Sequence, residues 1–129
     1  MFISYDYDYD NDKRHKNMLL AWDKNSEFDF GFNDQSADVS IQSTDAAAIK
    51  RAISAKINAA TNFLCLVGEK TSKRTWVSWE IDNACELKKR LAAVKISSGN
   101  TTPSGLLGAG ASWAMSFTFD SIEKALEGA

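Results

Sequence analysis

Residues 74–84 read RTWVSWEIDNA. On a helix, Trp76 and Glu80 lie four apart and stack on one flank. A carboxylate beside an indole at that spacing either lines a pocket or is an acid left in water at the edge of a core. At about 100° per residue, Val77, Ile81 and Ala84 cluster within about 60° and define the core face. Trp76, Glu80, Asn83 and Leu87 form a neighbouring stripe. Trp79 falls about 160–200° from the core residues and is expected to face outward, as a candidate protein contact. The helical wheel by itself leaves Glu80 a solvated acid next to a core-edge indole.

Other residues able to do chemistry are few. His15 is the only histidine and stands in a basic helix start, where it reads as surface. One histidine and two separated cysteines, Cys65 and Cys85, do not make a zinc set, so no metal site is expected. A Ser-His-Asp triad has only His15 to use, and no nucleophile elbow is present. No GxxxxGK[ST] loop occurs, and GLLGAG (105–110) lies far from a first strand–helix turn. The acidic stretch DYDYDND would repel a flavin phosphate. Asp6, Asp8 and Asp10 are placed like the acids of a phospho-receiver, but the later strand ending in LVGEK has no phospho-accepting aspartate. Lys70, Lys73 and Arg74 read as a solvated loop.

The bulk numbers narrow the class. A chain of 129 residues with 44% hydrophobic and 25% charged residues fits one soluble globular domain, taken as 1–129. A net charge of −2 argues against nucleic acid as a partner. MFISYDYDYD has neither a basic n-region nor a long apolar run, so no signal peptide, no membrane span and a cytoplasmic, reducing location are expected. Cys65, inside FLCLV, reads as a small hydrophobe.

The elements that must position Trp76 and Glu80 alternate in type. FISY (2–5) is a short strand, and 13–22 a helix with Met18, Leu19 and Trp22 on one face. EFDFGF (27–32) alternates, with Phe28, Phe30 and Phe32 pointing one way. The polar run 33–44 is a loop, and its Ser43 or Thr44 can cap a helix at about 45–59 carrying Ile49, Ile53 and Ile57. NFLCLV (62–67) reads as a strand covered on both faces and ended by Gly68. A helix over 75–90, a strand over 91–97, a Gly-rich loop with the only proline, a short strand over 113–118 and a helix over 120–128 capped by Thr118 or Asp120 complete the chain. This order predicts an α/β, flavodoxin-like three-layer sandwich with a mainly parallel sheet. Ligands of such sheets bind beyond the carboxyl ends of the strands. Four segments should meet there: Ser4–Asp10, the loops 33–44 and 68–75, and the first turns of the helix that holds Glu80.

FISYDYDYD followed by a charged helix, the loop NDQSADVS, and LCLVGEKTSKRTWVSWEIDNA with its Trp76-x-x-x-Glu80 together resemble the TIR-like family that includes the TIR subunit of Thoeris anti-phage defence systems. The resemblance covers about 2–96; no motif in 97–129 matches. It implies a flavodoxin-like fold and, for the enzymatic members, cleavage of the nicotinamide–ribose bond of NAD+ with Glu80 as the catalytic residue. NAD+ is then the substrate and no cofactor is needed. The implied product is a cyclic or conjugated ADP-ribose signal that activates a separate effector, after a phage-derived trigger and with self-association on activation. Part of the family opens on an aromatic strand end with a histidine, where this chain has Asp6 and Tyr7.

The residues suit that chemistry. Nicotinamide in NAD+ is already a cationic leaving group and needs no general acid. Bond cleavage passes through an oxocarbenium-like state that a carboxylate stabilises. Tyr5, Tyr7 and Trp76 can offer aromatic faces to the bases. Ser4, Asp6, Ser36 and Asp38 can bond ribose hydroxyls, Asn83 joins this substrate-binding set, and the Lys70–Arg74 loop can offset the acids facing a pyrophosphate. The alternative is a non-catalytic TIR-like module acting by self-association or partner binding, with Trp79 and the Gly-rich loop as contacts.

Overall fold

A computed structural model describes residues 1–24 and 46–129 of the chain. The strand expected at 27–32, with Phe28, Phe30 and Phe32, lies outside the described residues. So do the loop 33–44 with Ser36 and Asp38, and the caps Ser43 and Thr44.

The elements run β1 (Phe2–Ser4), α1 (Asp10–Lys24), α2 (Ala46–Ala59), β2 (Asn62–Val67), a 3-10 turn (Thr71–Lys73), α3 (Thr75–Glu86), β3 (Arg90–Lys95), a second 3-10 turn (Ser104–Leu106), β4 (Ser112–Ala114) and α4 (Phe119–Gly128). Among the described residues four strands form one sheet in the order β1-β2-β3-β4, and their pairings are all parallel. The period of two in a strand sends Phe2, Phe63, Cys65, Val67, Leu91 and Ala93 to one face, against Ile53 and Ile57 of α2 and Val77, Ile81 and Ala84 of α3. Ile3, Leu64, Leu66, Ala92 and Val94 go to the other, against Leu19 of α1 and Ile122, Ala125 and Leu126 of α4. Both faces of the sheet are therefore covered, which is why FLCLV is apolar without a break. The fold is the expected three-layer α/β sandwich. Among the described residues no helix is long and apolar enough to cross a membrane.

Three expectations change in detail. α1 begins at Asp10, three residues before the expected start, and its buried stripe is Asp12, Lys16 and Leu19, at spacings of four and three. Met18, placed on that face by sequence, is 41% exposed. α4 opens as expected at Thr118, whose Oγ1 accepts a hydrogen bond from Ser121 N–H at 3.3 Å. α3 stops at Glu86, short of the expected residue 90. Lys88 turns left-handed at φ 56°, Lys88 N–H reaches the Cys85 carbonyl at 3.1 Å, and Lys89 N–H reaches that of Ala84 at 3.0 Å. This is a Schellman closure with lysine where glycine is favoured, so no glycine announced the stop.

Lys88 is exposed, so its side chain protects little and its backbone carries left-handed strain. Lys88→Gly should stabilise the fold by about 0.5–1 kcal/mol, the strain relief less the added freedom of the unfolded chain. The measurement is a higher urea midpoint at unchanged slope; a lower midpoint rejects the assignment.

Candidate functional site

The site is built where α3 descends across the end of β1. Glu80 lies about 7–8 Å down the axis from the first residue of α3. Ser4, the last residue of β1, shares a sheet face with Phe2 and pairs in register with Cys65. Its hydroxyl donates to Glu80 Oε1 at 2.8 Å. Ser4 is fully buried and Glu80 is only 3% exposed, so the carboxyl is not the solvated acid that the wheel allowed. Burial pushes Glu80 up to about 8, against the Ser4 hydrogen bond, which favours the carboxylate. At neutral pH the resting group is mostly a neutral acid. The buried Cys65 thiol is pushed up by burial first and then by the neighbouring Glu80 charge.

Aromatic rings wall the outer side. Trp76, one turn above Glu80, is buried, and the Tyr7 ring lies 4.9 Å from it at a tilt of 31°. The Arg74 guanidinium stands 5.4 Å from the same indole. Trp76 Nε1 and Asn83 Oδ1 are buried atoms without a hydrogen-bond partner among the described residues. The structure thus brings together Ser4, Tyr7, Trp76 and Glu80, with Asn83 on the same helical stripe.

Other expected positions fall elsewhere. Tyr5 projects to the opposite sheet face, because it follows Ser4 by one residue in extended chain. It packs with the α1 layer, where Lys16 Nζ lies 5.4 Å from its ring, and so it does not reach Glu80. Asp6 does not present a free carboxylate to a ribose: Oδ2 pairs with Arg74 Nε at 2.9 Å and Oδ1 accepts Asp8 N–H at 3.2 Å. Ser36 and Asp38 lie outside the described residues. Trp79 is only partly exposed; it packs against the α2–α3 core, with Lys50 of α2 5.9 Å from its ring. The wheel measured its angle from the sheet, but a second helix covers that flank. The Lys70–Arg74 loop is not wholly solvated either, since Arg74 is held by Asp6 and Trp76.

Sequence reasoning missed a buried polar knot beside this site. Asp12 is fully buried, and its Oδ2 accepts from Thr71 Oγ1 at 3.2 Å. Thr71 Oγ1 in turn accepts Gly68 N–H at 2.8 Å. A β-carbon on Gly68 would sit 2.0 Å from Asp12 Oδ2, so the carboxylate packs where any side chain would be. Burial lifts Asp12 to about 6; the Thr71 bond opposes, Asp6 reinforces, and His15 and Arg74 oppose. The available signal was the 4-3 spacing of Asp12, Lys16 and Leu19. It was hidden because the helix was started one residue too late to include Asp12. Among the described residues no group of three His, Cys, Asp or Glu could hold a metal ion. A cavity of about 270 Å³ lies at the far end of the same sheet edge, lined by Lys95, Ser98, Trp113 and Met115 among others, and includes none of the expected site residues.

A parallel three-layer α/β domain that places Trp-x-x-x-Glu on the helix leaving a central strand is the arrangement of a TIR-like domain. Residues 2–101 match the family model described as Thoeris protein ThsB, TIR-like domain. That is well over half of the 129 residues, and the chain belongs to this family. Membership places it in Thoeris anti-phage defence. A search of curated proteins found no match.

The buried acid has a measurable consequence. Between about 4.5, the ordinary value, and about 8 the folded state holds the Glu80 proton and the unfolded state does not. Stability from this group is therefore full at low pH and falls as pH rises through that window, by about 1.4 kcal/mol per pH unit. Asp12 acts the same way, but only up to about 6. Glu80→Gln should match wild type at pH 5 and exceed it by about 2–4 kcal/mol at pH 8. Chemical denaturation at both pH values tests this; equal stability at pH 8 means that Glu80 is not a desolvated acid.

Proposed function

We propose that the protein is an enzyme that cleaves the nicotinamide–ribose bond of NAD+ and makes an ADP-ribose-derived signal for a separate effector. The observation that supports it most is the Glu80 carboxyl, buried beneath Trp76 and Tyr7 and held by Ser4 at 2.8 Å. In the reaction the C1′–N bond breaks and its electron pair stays on nicotinamide, which leaves neutral. Positive charge moves to C1′ and the ring oxygen. A carboxylate there interacts through low-dielectric surroundings, where attraction is much stronger than in water. The cationic ring of bound NAD+ favours ionised Glu80 and so draws off the proton that the resting group holds. Water, or a hydroxyl of the ADP-ribose itself, then captures C1′ and gives up a proton. Tyr7 and Trp76 stack on the leaving base and exclude water, and Asn83 stands on the same stripe as a polar contact. Homo-oligomer formation on activation by a phage-derived trigger, and a cytoplasmic site of action, belong to the same reading.

The alternative, a non-catalytic module working by self-association or partner binding, has one observation in its favour. The Gly-rich loop exposes Leu107 at 68%. Trp79, partly covered by α2, offers less of its ring for that contact than the wheel implied.

Nicotinamide release from NAD+, followed by chromatography with phage-infected lysate as activator, separates the two. Glu80→Gln should reduce release by at least about 100-fold, as removal of a group that stabilises transition-state charge does. Equal release by wild type and variant rejects the enzymatic reading. kcat/KM should climb with pH as Glu80 of the free enzyme ionises, levelling above about 8. Ser4→Ala removes a donor to the carboxylate, so its climb should shift to higher pH; a shift to lower pH contradicts the assigned role of Ser4.

A further inference from the structure

The rim of this site carries the exposed acids Asp8, Asp10 and Glu69, in the segments that meet at the mouth. A dinucleotide must bring a doubly charged pyrophosphate past them. One cation is held in a fixed pose there. Arg74 precedes the first turn of α3 and is 30% exposed at its side chain. Its Nε–H is bonded to the fully buried Asp6 at 2.9 Å, and its guanidinium stands over the Trp76 ring. A guanidinium has five N–H donors, and Nε–H is one of them. The two terminal nitrogens make no hydrogen bond among the described residues. Asp6 is buried on the inner side, so the ion pair is a dipole with its positive end outward. The pose is pre-formed, which lowers the entropy lost on binding an anion.

We propose that Arg74 binds the pyrophosphate of the substrate, with its terminal nitrogens forming a fork on the phosphate oxygens. This inference rests on the reading of the protein as an NAD+-cleaving enzyme and names the part of NAD+ that the aromatic wall and Glu80 leave unrecognised. Arg74 and Glu80 are six residues apart, about 9 Å of helix rise, a separation that a nicotinamide ribose and its 5′ phosphate can bridge. A planar, bidentate donor suits phosphate better than the mobile ammonium groups of Lys70 and Lys73, which are exposed. Asp6 acts as a positioning residue: it aims Arg74 instead of touching the sugar.

The test measures ADP-ribose binding by calorimetry, and kcat/KM for NAD+ against nicotinamide riboside, which carries no phosphate. Arg74→Ala should weaken ADP-ribose binding at least tenfold and lower kcat/KM for NAD+ by a similar factor through KM. It should leave nicotinamide riboside within about twofold. Arg74→Lys should fall between. Undetectable ADP-ribose binding to wild type, unchanged affinity in Arg74→Ala, or an equal loss on nicotinamide riboside overturns the assignment. Arg74→Ala leaves Asp6 buried without its partner, so the Asp6→Asn/Arg74→Ala pair is measured beside it. That double variant should show the same tenfold loss, and wild-type affinity in it overturns the proposal. The catalytic reading fails on a different result, nicotinamide release indifferent to Glu80→Gln, and a diphosphate site at Arg74 survives that failure if the binding losses hold.

Discussion

Two buried oxygens 2.8 Å apart, Ser4 Oγ and Glu80 Oε1, tie the end of β1 to the second turn of α3. Most of the site's geometry depends on this contact. A carboxyl that is 3% exposed is stable only with a polar partner or a proton, and here it has both. Ser4 can supply that partner only if β1 stops there, with its last residue on the α3 face. The period of two then settles its neighbours. Phe2 lies below on the same face and stacks on Phe63 at 5.6 Å, while Ile3 and Tyr5 turn to the α1 layer. A one-residue slip of β1 would place an isoleucine or tyrosine against Glu80 and leave the acid without its donor.

Around that contact, the two loops at the carboxyl edge are joined by polar links of different kinds. Asp6 holds Arg74, Tyr9 hydroxyl donates to Glu69 at 2.5 Å, Lys70 lies over the Tyr9 ring, and Asp12 accepts from Thr71. Each is modest alone, and the exposed ones are screened by water. Asp6 and Asp12 are different, since both are fully buried. Removing the partner of such a group leaves a desolvated carboxylate, so each link strongly fixes its loop. The loops therefore meet in one arrangement, and Tyr7 and Trp76 stack in it as a wall.

The amount of this visible in sequence differs by residue. The layers and the parallel sheet were legible because FLCLV, Ile53 and Ile57, and Val77 with Ile81 carry strong periodic signals. The flank shared by Trp76 and Glu80 was legible for the same reason. That Glu80 is buried was not, because a wheel gives direction and not cover; only the TIR resemblance favoured a functional acid. Trp79 failed through the same limit, as α2 covers a side that a single helix leaves open. Tyr5 was grouped with Ser4 and Tyr7 although neighbours in a strand face opposite ways. Arg74 was read as a solvated charge, and Asp12 was not singled out at all. Their burial depends on partners 59 and 68 residues away in sequence, Thr71 and Asp6, and no local pattern encodes such contacts.

On the proposed reading, the charge layout itself sets selectivity. NAD+ has a cationic reacting end and an anionic middle. The depth of the site offers a neutral acid that becomes an anion in the presence of positive charge, and the mouth offers one fixed cation amid carboxylates. A ligand inserted the other way would bring its phosphates to Glu80, where they would oppose ionisation and meet little solvent to screen them. A neutral base in place of nicotinamide would leave Glu80 protonated and would develop charge at C1′ with no carboxylate to meet it. On that reading, the same buried acid whose ionisation lowers stability as pH rises through its titration window also sets which end of the substrate enters first.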